Sequence, residues 1–213
     1  MTPQEYYRMT GPTERSGPPE WYTPTALIVL QKCPLRWQLE NSHWGDLDHH
    51  PGTPNRKRVA GKVIHELLEA MFRHLGRHGR PARGTEAFRG AMRSLKVSDV
   101  LTRLIQKQEA QWGAHPRTRG APLALDAGSL RNRAFGIFRK TYRPATNRPS
   151  RRTSGGTSTG PLGAEVTISD EALRFRGRID LAQVAELIDF KTGSLSDSHK
   201  RQLEIYALLW FRQ

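Results

Sequence analysis

The chain has 213 residues, a length that suits one domain or two small ones with enough residues for a real core. Its formal net charge is +14 and its pI about 10.7, with arginine dominant, so a polyanionic partner is expected: nucleic acid first, an anionic membrane surface second. No apolar run is long enough to span a bilayer as a helix, the first twenty or so residues hold no secretory core, and the single cysteine, Cys33, excludes an intrachain disulfide; a cytoplasmic protein is expected.

Residues 1–22 are rich in Pro and Gly and read as a flexible arm. Thr23-Pro24 is a helix start, with Thr23 as cap and Pro24 in the first turn. Cys33-Pro34 interrupts the apolar run that follows, and Leu35 to Leu39 resumes it. Residues 41–55 read as a loop. His43, His49 and His50 lie there with Asp46 and Asp48, but their spacing fits no standard metal pattern. Arg56 to Gly76 is an amphipathic helix, because Val59, Val63, Leu67 and Ala70 recur at helical spacing with Ile64, Leu68 and Met71 beside them. His65-Glu66-Leu67 within it is not a zinc-protease motif, because position 69 is Glu69 and not histidine.

Gly79 and Pro81 break that helix. Helices are expected over about 84–95, 98–112 and 126–142, with Ser98 or Asp99 capping the second and Asp126 the third. Basic residues outnumber acids several-fold between Arg56 and Arg152, and the exposed faces of these helices carry many of them. Arg131, Arg133, Arg139 and Lys140, together with Arg178, are the expected DNA contacts. Phe135, Phe138 and Tyr142 read as core residues in preference to base-stacking platforms. Residues 144–161 are a low-complexity, flexible loop.

Two strands follow. Leu173, Phe175, Ile179 and Leu181 alternate with polar residues, and Glu186 to Phe190 is a second short run. Residues two apart on a strand share a face, so Asp189 and Lys191 are neighbours while Phe190 points the other way. A hairpin across Gln183 brings Asp180 alongside Asp189. Two adjacent carboxylates repel unless a cation lies between them or one takes a proton, and such hard oxygen ligands suit Mg²⁺ or Mn²⁺. The plainer alternative is a surface hairpin with a salt bridge. Residues 199–213 read as a last helix with Leu203, Tyr206, Ala207 and Trp210 as its apolar stripe. The chain stops inside it without a cap signal, as expected of a truncated or covered end.

Taken in order, Gly61 to His65 (G-x-x-x-H), Glu165, Gly177-Arg178-Ile179-Asp180, Asp189-Phe190-Lys191-Thr192 and Gln202-Leu203-Glu204-Ile205-Tyr206-Ala207 resemble the RecB-like branch of the PD-(D/E)XK nuclease superfamily. Cys33-Pro34 resembles the N-terminal cysteine segment of its AddB-type and CRISPR-associated members. The resemblance implies an α/β restriction-endonuclease-like fold: a central mixed sheet flanked by helices, within a nuclease domain over 23–213 that carries a helical insertion over about 79–142. It implies a Mg²⁺- or Mn²⁺-dependent deoxyribonuclease, an exonuclease of DNA repair or of defence against foreign DNA. His65, Asp180, Asp189 and the Phe190 carbonyl would hold the metal, and Lys191 would orient water and stabilise the phosphate. Glu165 would be an outer carboxylate, and Gln202 and Tyr206, one turn apart, would brace the site or touch DNA. Helicase or CRISPR-adaptation proteins are the implied partners. The alternative is a catalytically silent nuclease fold used as a DNA-binding scaffold. Iron–sulfur members carry four cysteines, and Cys33 alone cannot hold a cluster, so no cluster is expected and Cys33 reads as a small buried apolar residue.

Overall fold

A computed structural model of the chain describes residues 19–43, 54–115, 117–145, 163–183, 186–192 and 196–212. Most of the expected arm, the segment with Asp46, Asp48, His49 and His50, and most of the expected 144–161 loop lie outside the described residues. In chain order the elements are α1 (Pro24–Lys32), α2 (Pro34–Asn41), α3 (Arg56–Arg77), α4 (Glu86–Leu95), α5 (Val97–Ala114), α6 (Ala127–Thr141), β1 (Gly163–Asp170), β2 (Phe175–Gln183), β3 (Glu186–Ile188) and α7 (Asp197–Phe211). The strands form one sheet in the order β1-β2-β3, and this mixture of helix and sheet is the α/β class expected of a restriction-endonuclease-like fold. Among the described residues the β2–β3 pair is antiparallel, and a parallel element appears as the isolated bridge Tyr22–Phe175. No described helix is long and apolar enough to cross a membrane.

The chain divides into two compact units, the first comprising Met1–Thr53, Thr167–Gly177 and Ser196–Gln213, the second Pro54–Val166 and Arg178–Leu195. In the first, the Thr23 hydroxyl accepts from the Ala26 N–H and Pro24 opens α1, as the sequence leads one to expect. Cys33 is not buried. A residue before proline is driven to extended backbone, so Cys33 sits exposed between α1 and α2, and its Sγ accepts from the Arg36 N–H at 3.4 Å as the cap of α2. Helix α1 packs on α2 and on α7. Tyr22 exchanges backbone hydrogen bonds with Arg174 and Arg176, and its ring stacks on Phe175 at 6.0 Å. Gly177 lets Tyr206 approach this strand: a Cβ there would lie 2.5 Å from Tyr206 Cε1.

Strand β2 begins at Phe175, later than the alternation from Leu173 suggests. Asp170 Oδ1 accepts from the Leu173 N–H and Arg174 takes a φ of 50°, so Leu173 falls in a turn and is exposed. The Asp170 carboxyl is also held below the usual carboxylate range by its hydrogen bond to Arg212, with the Leu173 N–H adding to the effect.

In the second unit α3 is the axis. Asn55 caps it by accepting from the Lys57 and Arg58 N–H groups. Val63, Ile64, Leu67, Leu68, Met71 and Leu75 are fully buried, the stripe that helical periodicity demands. Helices α4, α5 and α6 each pack against it. Phe138 and Tyr142 are core residues, as expected, and the rings of Phe72, Phe88, Phe138 and Tyr142 form a contiguous cluster, with Phe138 and Tyr142 stacked at 4.9 Å. The Tyr142 hydroxyl donates to the Pro81 carbonyl at 2.7 Å, which satisfies the one polar atom of a buried ring.

Asp126 caps α6 through the Gly128 and Ser129 N–H groups. Neither Ser98 nor Asp99 caps α5. Lys96, with a φ of 50°, is both the C-cap of α4 and the N-cap of α5, so the helix starts at Val97 and Asp99 falls inside its first turn.

Truncating Leu67 to Ala should cost about 2–5 kcal/mol, because the buried cavity can collapse only partly; urea denaturation measures it. The Asp170 contribution has a defined sign. A depressed folded-state pKa stabilises at neutral pH, and that contribution fades as pH falls through the lowered value. Asp170→Asn should therefore lower the melting temperature at pH 7 while the gap to wild type closes on acidification, read by thermal melts at stepped pH.

Candidate active site

One face of α3 is apolar and buried. The opposite stripe, Arg58, Gly61, Lys62, His65, Glu66 and Glu69, runs at helical spacing and lines a cleft of about 430 Å³. Glu165, Arg178, Asp180 and Thr192 form its other wall. The amphipathic period of α3 thus does two things at once: it anchors the unit and presents a polar row to the cleft.

Gly61 permits the close approach. A Cβ at this position would sit 2.7 Å from Thr192 Oγ1. The side chain of Thr192, the residue after Lys191, therefore lies directly against α3, and His65 stands one turn further along the same face. From α6, Arg133 donates to the Thr192 carbonyl at 2.5 Å and ties down the same segment. One of its donors is thus committed to the protein. In the sequence Thr192 is only the last letter of the Asp189-Phe190-Lys191-Thr192 motif, since nothing local to it announces that a helix will pass so near. Glu66 and Glu69 enter there only in setting aside the zinc-protease motif. Their signal was the polar stripe complementary to the apolar one.

The register of the hairpin pairs Leu181 with Ile188, Ala182 with Leu187 and Gln183 with Glu186. Continued by one step it sets Asp180 opposite Asp189, as expected, although β3 ends at Ile188 and Asp189 has left the ladder. Phe190 is buried, with its ring stacked on Phe72 at 5.8 Å and edge-on to His65 at 5.9 Å. Its burial turns Asp189 and Lys191 to the other side, where their side chains form an ion pair. Asp180 Oδ2 accepts from the Phe190 N–H at 2.5 Å and faces His65 Nδ1 at 3.4 Å. Three elements, α3, β2 and the segment after β3, therefore meet at His65, Asp180 and Asp189–Lys191.

The electrostatics are those of a crowded carboxylate pair. Burial raises the Asp189 carboxyl above its usual range; the Lys191 hydrogen bond opposes this, the charge of Asp180 adds to it, and His65 pulls it back. Asp189 Oδ2 is buried, and its partner is the Lys191 ammonium. Among the described residues, no three or more His, Cys, Asp and Glu side chains converge closely enough to enclose a metal ion. Glu165 takes a φ of 58° at the start of β1, a strained conformation for a non-glycine residue. Its buried carboxylate pairs with Arg178, whose own side chain is two-thirds exposed at 66%.

The remaining expected residues fall elsewhere. Gln202 and Tyr206 sit on α7 in the other unit, where the Gln202 amide donates to the Tyr206 hydroxyl at 3.0 Å, as their spacing implies. Arg131 and Arg139 line a separate cleft beside α5, and Lys140 is exposed near the end of α6. Cys33 belongs to the first unit.

Gly61→Ala should lower stability by about 1–3 kcal/mol, the usual cost of overpacking a tight contact. Shortening the clashing partner in Gly61→Ala/Thr192→Ser should not recover it, since the hydroxyl persists, whereas Gly61→Ala/Thr192→Ala should. Denaturant titration of the three variants checks the contact.

No curated protein and no solved structure matches this chain. The PD-(D/E)XK nuclease superfamily matches over residues 22–213, a span that takes in all three described strands and the helices that carry the residues described above. The chain belongs to the PD-(D/E)XK nuclease superfamily.

Proposed function

We propose that this chain is a divalent-metal-dependent deoxyribonuclease of the RecB-like branch, cutting phosphodiester bonds from DNA ends in repair or in defence against foreign DNA. Superfamily membership supports nuclease activity, and PD-(D/E)XK nucleases generally use divalent metals. The observation that carries the reading is the meeting of His65 with Asp180 at 3.4 Å beside the ion-paired Asp189 and Lys191.

The donor chemistry fits a hard divalent cation. The His65 imidazole faces the Asp180 carboxylate, and the Asp189 carboxyl, pushed up in pKa by burial and by the charge of Asp180, lies beside them though not drawn in to enclose an ion. A cation bound by His65, Asp180, Asp189 and the Phe190 carbonyl would offset the negative charge that builds on a phosphate during hydrolysis. Asp180 is oriented for this from two sides, by the Phe190 N–H and by His65. Lys191 contributes an ammonium on the same side as Asp189, able to hold a water in line or to stabilise charge on a phosphate oxygen. In forming either contact it leaves Asp189, which frees that carboxylate for the cation. Glu165 sits on the cleft wall as a further acid, held by Arg178. Gln202 and Tyr206 brace one another as a pair on α7.

DNA is the proposed substrate, and the excess of arginine supplies the sequence-independent attraction to its backbone. A cytoplasmic setting and a helicase or CRISPR-adaptation partner complete the reading.

Hydrolysis of linear and of closed circular DNA, with Mg²⁺ and with Mn²⁺, tests it. Wild type should degrade linear DNA and spare circles. Lys191→Ala should lower the rate on the order of 10²–10³-fold, with a thermal melt run beside it to confirm that the variant is folded. Equal rates in the two proteins would remove Lys191 from the mechanism. No hydrolysis by wild type with either metal would favour the silent, DNA-binding scaffold instead.

A further inference from the structure

The second unit holds another cleft besides the one described above. It measures about 520 Å³ and lies where the start of α5 meets the outer face of α6. Arg131, Phe135 and Arg139 line it at i, i+4 and i+8, so they follow one another along one face of α6, with Ser98 and Asn132 at its rim. Among the described residues neither guanidinium has a carboxylate partner. This contrasts with Arg89 and Arg93 on α4, which both pair with Glu86. Phe135 is half-buried: it packs against the core on one side and borders the cleft on the other.

The alternation of cation, aromatic and cation has a chemical counterpart. A nucleic-acid strand alternates phosphate and base. Eight helical residues span about 12 Å, well beyond the ~3.4 Å rise per nucleotide that a strand keeps in a duplex. Two guanidiniums so placed suit separate phosphates of one strand more than a single anion. A ring between them is where an unpaired base can stack, and a base inside a duplex has no free face to offer. Arg131 and Arg139 were expected to touch DNA; what the cleft adds is Phe135 between them and, with it, a choice of strand type.

We infer that this cleft binds one unpaired DNA strand outside the catalytic cleft, with phosphates on Arg131 and Arg139 and a base on Phe135, so that the enzyme engages single-stranded ends. The inference rests on the nuclease reading for its biological sense but not for its test. Binding of a fluorescently labelled oligothymidylate and of a blunt duplex of equal length is measured by anisotropy in EDTA, where no hydrolysis occurs. The proteins are wild type, Arg131→Gln/Arg139→Gln and Phe135→Leu, each checked for folding by thermal melt.

The arginine pair should weaken single-strand binding, and the slope of log affinity against log salt should flatten by about 1.4, two phosphate contacts at ~0.7 each. Phe135→Leu, which keeps an apolar side chain against the core, should weaken single-strand binding about 5- to 150-fold, the cost of one lost stacking contact. It should leave the duplex unaffected. Unchanged single-strand affinity in either variant, or an equal loss on the duplex from Phe135→Leu, overturns the inference. A wild-type chain that binds the strand yet cuts nothing with metal counts against the catalytic reading alone.

Discussion

The candidate site depends on where Phe190 goes. Its ring is buried against Phe72 and edge-on to His65, and its backbone N–H is held by Asp180. Apolar burial drives the ring inward. The alternation of an extended chain then leaves Asp189 and Lys191 no choice but the opposite side. One hydrophobic contact thus positions an acid, an ammonium and, through the main-chain hydrogen bond, a second acid. The cost appears in Asp189, whose carboxyl is pushed up first by burial and then by the charge of Asp180. Carboxylates kept in such proximity cluster at functional sites, because a purely structural role gives no reason to hold them there.

Helix α3 is the second organising element, and its two faces divide the labour. The apolar face carries the core on which α4, α5 and α6 pack. The polar face carries His65 and the wall of the cleft. Gly61 connects the two functions. Lacking a Cβ, it lets Thr192, the residue after Lys191, set its side chain against α3 one turn before His65. Arg133 on α6 holds the main-chain carbonyl of the same residue. The helices between α3 and β1 therefore do more than present positive charge: one of them buttresses the segment that bears Lys191.

The positive charge itself separates into roles once the partners of each residue are seen. Arg89 and Arg93 pair with Glu86, Lys107 pairs with Glu66, and Arg178 pairs with Glu165. Exposed pairs of this kind add little stability, but they remove those residues from the reserve available to a polyanion. Arg131 and Arg139 remain without a carboxylate among the described residues, on one face of α6 and bordering one cleft.

Much of this was legible in the amino-acid order. The period of α3, the caps Thr23 and Asp126, the buried Phe138 and Tyr142, and the pairing of Asp180 with Asp189 all follow from spacing and from side-chain chemistry acting over a few residues. The expected type of site rests on the motifs taken in order, because two acids and a lysine at strand spacing also suit a surface hairpin with a salt bridge. Local spacing misjudged Cys33, which the following proline forces into an exposed junction, and the start of α5, which a left-handed Lys96 moved forward. What only tertiary structure decided were the contacts between residues far apart in the chain: Thr192 against Gly61, Arg133 on the Thr192 carbonyl, the glutamates of α3 facing the cleft, and Phe135 set between two unpaired arginines beside α5. These arise from packing of elements separated by dozens of residues, and no periodicity along a single segment encodes how closely another will pass.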